Sequence, residues 1–226
     1  MRVNTGKTQM ICISGAVTYV AESYIGDGEG GVIQSTTESI KILGFHLSSK
    51  PGVSAHVTAL RKKFRKRLWV ILNLRELGFT EAELVKVYTS YVHPIADYMA
   101  PAYHSLLTDA QNEEIERLQS TALKYIFGPF ISAGKMREKA GVQTLRQRRI
   151  ELTDKFAEKA LTNPRCRHWF PLRAARSGRH GEKYLERKAR CDRLHNSPLF
   201  YYRRRLNGKV GKTYGQRNRY WREKCF

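Results

Sequence analysis

Six cations fill seven consecutive positions, Arg61, Lys62, Lys63, Arg65, Lys66 and Arg67, with only Phe64 between them. Fixed cations at that density suit one task above others, which is neutralising the phosphates of a polyanion. Arg61, Lys62, Arg65 and Lys66 are the candidates for that contact. A second run, Arg203, Arg204 and Arg205, lies in a stretch where aromatic residues alternate with arginines, among them Trp169, Phe170, Tyr184, Tyr201, Tyr202, Tyr214 and Trp221. That mixture pairs with phosphates and stacks on bases. Two plainer readings stand beside these. The first run is also what a solvated helix face looks like. Trp169, Phe170, Tyr201 and Tyr202 could equally dock the C-terminal segment onto the body of the protein.

Other residue patterns carry less. Gly6-Lys7-Thr8 and Gly211-Lys212-Thr213 each match the end of a phosphate-binding loop. The first glycine that such a loop requires would fall at Met1 and Leu206, so both fail. Cys166, His168, His180, Cys191 and His195 are of zinc-binding types, but the C-x-H and C-x3-H spacings are loose for a tetrahedral site. His180-Gly181-Glu182 is a poor start for a two-histidine, one-carboxylate iron site, because His195 is the sole later histidine. No G-x-S-x-G elbow occurs. The residues themselves therefore define no catalytic group and no metal site.

The charge distribution agrees with a polyanionic partner. The chain has 226 residues, a net charge of +21 and 41% hydrophobic residues. Residues 1–50 are neutral overall and residues 51–134 carry +2. Residues 135–226 hold twenty-seven basic and eight acidic side chains, a net of +19. No apolar run is long enough to insert in a membrane, so nucleic acid is favoured over a lipid surface. Four scattered cysteines do not make a disulfide frame, which suits the cytosol or nucleus.

Several elements must position these residues. Short stretches rich in Ile, Val, Thr and Tyr predict strands at Thr8–Ile13, Thr18–Ile25, Val32–Gln34 and Ile40–Leu43, continuing through Phe45–Ser48. After Pro51-Gly52, apolar residues at Val57, Leu60, Phe64, Leu68, Ile71 and Leu72 recur in steps that put them on one stripe of a helix. Thr80 with Glu83 and Thr108 with Gln111 have the spacing of capping boxes and start the next two helices. The first of these carries Leu84, Val87, Tyr88, Tyr91, Val92, Ile95 and Tyr98, and Pro94 should kink or split it. The second carries Ile115, Leu118, Leu123 and Ile126 and stops at Gly128-Pro129. Further helices are expected over Lys135–Ala140 and about Gln143–Leu161. Beyond Pro164 periodicity fades, and irregular or partly disordered structure is expected.

In this order the stretches resemble the C-terminal part of a LINE-type, non-LTR retrotransposon reverse transcriptase. Val3-Asn4-Thr5-Gly6-Lys7-Thr8 resembles the N-x-x-K-T of the palm. Lys41-Ile42-Leu43-Gly44-Phe45 is similar to the K-x-L-G segment at the palm–thumb junction, where that family has its primer grip. The basic helix and the Leu84–Tyr103 stretch, with its Tyr-x-x-Tyr-Val-x-Pro-Ile-x-Asp-Tyr, resemble the thumb helices, as does Arg117–Lys124. Asn196-Ser197-Pro198 and Tyr201–Asn207 look like a tail found in some of these elements.

The resemblance implies that Leu43, Gly44 and Phe45 are primer-grip-like and that Lys7 is the palm lysine. It also implies paired aspartates holding two magnesium ions, and these 226 residues contain no Asp-Asp pair. By resemblance the aspartates would lie upstream of Met1. The expectation is thus an α+β chain: a small antiparallel sheet remnant (1–50), a mainly helical thumb-like bundle (51–163), and a basic, irregular C-terminal tail (164–226). It would hold RNA or an RNA–DNA duplex through its backbone, with no cofactor of its own, since magnesium would serve only the complete polymerase. The alternatives are a stand-alone basic RNA-binding protein derived from a retroelement and a metal-dependent enzyme using the Cys and His residues.

Overall fold

The first long helix, α1 (Ser54–Glu76), forms where the apolar stripe predicts it. Val57, Leu60, Phe64, Leu68 and Ile71 are all buried, joined by Val53 and His56 at the helix start. Fully burying five side chains of this size is worth roughly 1.5–3 kcal/mol each, so the stripe outweighs the mutual repulsion of the cations beside it. The computed structural model describes residues 11, 24–26, 32–34, 39–49, 52–171, 184 and 195–210. Among them the class is α+β, mainly helical with two small antiparallel strand pairs.

Strand β1 (Tyr24–Gly26) pairs with β2 (Val32–Gln34), and β3 (Ser39–Ile42) with β4 (Phe45–Ser48). Ile42 faces Phe45 across the second hairpin, leaving Leu43-Gly44 as a two-residue turn. The strand expected over Thr8–Ile13 is undescribed apart from residue 11, and only residues 24 and 25 of Thr18–Ile25 are described; Lys7 also lies outside the described residues.

The described residues group into two compact units. The first runs to Tyr98 and resumes over Leu107–Val142; the second takes Met99–Leu106 and the described residues from Gln143 onward.

In the first unit, α1 packs against β4 and against α5 (Asp109–Phe127). Short α2 (Glu81–Val87) and α3 (Pro94–Asp97) pack on α1 as well, and α6 (Ala133–Ala140) lies on α5. Both expected capping boxes are present: the Thr80 and Thr108 side chains accept from the N–H groups of Glu83 and Gln111, and each longer side chain reaches back to its cap's N–H. All four apolar positions foreseen on α5 are buried.

The break expected at Pro94 takes a particular form. Residues Tyr88–Val92 make a π-helical turn, with the His93 N–H bonded to the Tyr88 carbonyl at 2.8 Å. A π turn holds one residue more than an α turn. The buried series is therefore Leu84, Tyr88, Val92 and Ala96, while Tyr91 and Tyr98, expected on the stripe, are 44% and 53% exposed.

In the second unit, α4 (Ala100–Tyr103), α7 (Leu145–Thr162) and α8 (Pro198–Val210) surround a core of Ala157, Ala160, Phe170, Tyr202 and Leu206. Over Pro198–Val210 the C-terminal segment is helical where irregular structure was expected. The apolar periodicity there is short, and one of its inward positions is an arginine, so the pattern does not read as a helix from composition.

Candidate nucleic-acid interface

On α1, Lys62, Arg65, Lys66 and Trp69 are exposed while Leu60, Phe64, Leu68 and Ile71 are buried. Residues three, four and seven apart share a helix face. The four exposed side chains therefore form one stripe, about 10 Å long from Lys62 to Trp69 at 1.5 Å per residue. Among the described residues, no ion pair involves Lys62, Arg65 or Lys66. Arg61 differs: its Nη1 lies 2.7 Å from Glu114 Oε1 on α5, so its charge already has a partner. Arg67 is turned to a structural task, donating to the Tyr91 carbonyl with its guanidinium 4.3 Å above the Tyr91 ring. Lys63 is exposed on the neighbouring flank.

Of the primer-grip-like residues, Leu43 and Gly44 form the β3–β4 turn and Phe45 opens β4. Leu43 has φ 48° and Gly44 φ 87°. Positive φ at both central residues is the pattern of a type I′ hairpin, whose twist matches that of the strands. Glycine takes it at no cost; leucine does not. Leu43 is nonetheless 80% exposed, so no contact of its side chain explains the conformation. The turn is held instead through the backbone, by the Tyr98 hydroxyl donating to the Leu43 carbonyl. Phe45 packs on His56 with ring centroids 4.7 Å apart. Gly44, His56, Lys63, Arg67 and Tyr98 line a hollow between this turn and α1. Burial, with help from His46 and Lys63, pushes the His56 pKa down to about 4, so at neutral pH its imidazole adds no charge there.

The tail arginines each have a partner inside the second unit. Arg203 is buried, with Nε 2.8 Å from the Trp169 carbonyl. Arg204 donates to the His195 carbonyl at 2.7 Å. Arg205 forms a two-pronged pair with Asp154 on α7. All three make contacts within the second unit, and of the three only Arg203 is buried. The plainer reading of the aromatic residues holds: Phe170 and Tyr202 are core, and Tyr201 meets His104 edge-on at 5.6 Å. Exposed cations of this unit lie instead at Arg146, Lys155, Lys159, Arg165 and Arg167.

Among the described residues no three His, Cys, Asp or Glu side chains come together as metal ligands would; His180 and Cys191 lie outside them. None of the described helices is long and apolar enough to cross a membrane. The residue that sequence reasoning missed is Trp69. Its signal was present in its spacing, four after Arg65 and three after Lys66, which sets it on the cationic face and off the apolar stripe.

No family profile, no curated protein and no solved structure matches the chain.

Proposed function

We propose that the chain binds RNA or an RNA–DNA duplex through its phosphate backbone, without reading sequence, as the holding part of a LINE-type reverse transcriptase. The observation that carries this reading is the set of exposed cations Lys62, Arg65 and Lys66, which have no acidic partner among the described residues, on the outer face of a helix fixed by its buried side. A helix so anchored keeps its charges at constant spacing, which costs less ordering on binding than loop cations would. The role assigned is holding and not phosphoryl transfer, because these residues include no aspartate pair to carry two metal ions. Binding should therefore be indifferent to chelators. A cytosolic or nuclear setting goes with this reading.

The test compares unrelated RNA sequences of equal length against wild type and a Lys62→Ala, Arg65→Ala, Lys66→Ala triple variant, with helicity checked by circular dichroism. Affinity should fall alike for every sequence. A loss confined to one sequence would mean base reading and would overturn the proposal.

A further inference from the structure

A phosphate can engage an indole only at its Nε1–H and leaves the ring face unused, yet Trp69 stands on the cationic face of α1 with 65% of its surface exposed. It forms one wall of a groove between α1 and α5. Leu68 and Leu118 supply apolar surface, Thr121 and Tyr125 come from α5, and Arg65 stands beside the indole. Arg75 donates to the Tyr125 carbonyl at 2.8 Å, which ties the two helices at this end.

We infer that this groove takes an unpaired base stacked on Trp69, with the adjoining phosphates on Lys62, Arg65 and Lys66. The inference rests on the backbone-binding reading above and adds to it a preference for nucleic acid with single-stranded character. Bases within a duplex stack on one another and present only their edges, whereas an unpaired base has a face to offer. An apolar protein partner seated here would strip water from Arg65 and Lys66 without compensating them. A single strand satisfies the ring and the charges together.

The test measures binding by fluorescence anisotropy for wild type, Trp69→Leu and Trp69→Tyr. Three ligands are used: a short single-stranded RNA, a blunt duplex of the same sequence, and a strand of abasic sites with the same length and charge. Trp69→Leu should weaken single-strand binding about tenfold, within the range for one stacked base, and duplex binding less than twofold. Trp69→Tyr should restore most of the loss. Wild type and Trp69→Leu should bind the abasic strand equally, with the same salt dependence, since no charge has changed. Equal weakening of duplex and single strand, no weakening of either, or a difference that persists on the abasic strand would each overturn the stacking site. If wild type binds none of the three in dilute buffer, the backbone reading falls with it. If it binds all with a steep salt dependence that is blind to Trp69, only the stacking site falls.

Discussion

Arg205 meets Asp154 with two nitrogens at once, its Nε 2.9 Å from Oδ1 and its second branch on Oδ2. The two side chains are 27% and 16% exposed. A paired, largely shielded arginine of this kind holds α8 to α7, and removing one partner leaves the other poorly solvated. Arg205→Ala should cost about 2–3 kcal/mol of stability by chemical denaturation. Asp154→Ala separates structure from binding. It also destabilises, but it releases a cation; if Arg205 were reserved for phosphates, this variant would bind RNA more tightly. The expected result is lower stability with little gain in affinity, and an unchanged denaturation midpoint in both variants would show that the pair is not structural.

The β3–β4 turn makes a pair of opposite predictions. A Cβ on Gly44 would lie 3.0 Å from Tyr98 Cε1, on a backbone with φ 87°. Gly44→Ala should therefore destabilise by about 1–2 kcal/mol. Leu43 already bears the strain of φ 48°, so Leu43→Asn, which gives the Asn-Gly pair favoured in such turns, should stabilise by about 0.5–1 kcal/mol. Urea midpoints of the two variants should move in opposite directions. If Leu43→Asn lowers the midpoint, the leucine side chain makes a contact that its exposure denies.

Stability should fall on mild acidification. Burial, the largest cause, pushes His56 in the first unit and His104 in the second down to about 4. Electrostatic neighbours add to it: His46 and Lys63 for His56, and Arg149, Arg146 and Arg205 for His104, where Asp154 opposes. An unfolded histidine titrates near 6.5, so between about 6.5 and about 4 the unfolded chain holds protons that the folded chain lacks. The stability these groups contribute is present above about 6.5 and is lost as pH falls toward about 4. Urea midpoints taken between about pH 7 and pH 5 should decline, and His56→Gln or His104→Gln should flatten the decline. A midpoint that is level or rises over that window would contradict the burial of these rings.

Much of the helical layout was legible because its signals are local. The α1 and α5 stripes repeat at helical spacing, and Thr80 and Thr108 cap helices with partners three residues away. What was illegible depends on contacts that sequence spacing does not encode. Tyr91 and Tyr98 fall on a helical stripe projected from Leu84, but the π turn before Pro94 adds a residue and rotates them outward. Arg203 reads as a surface charge because arginine usually is one; only the Trp169 carbonyl, thirty-four residues away, explains its burial. At the candidate interface, Lys62, Arg65 and Lys66 were legible from composition. The pairing of Arg61 with Glu114 was not, since fifty-three residues separate them.

The central claim is that α1 neutralises phosphates, and the salt dependence of RNA–DNA duplex binding tests it most directly. Each phosphate that goes unneutralised should lower the slope of log affinity against log salt by about 0.9. Wild type should show a steep slope, and the Lys62→Ala, Arg65→Ala, Lys66→Ala variant one shallower by about 2–3. A variant slope equal to that of wild type, or a wild-type affinity that does not change with salt, would contradict the account.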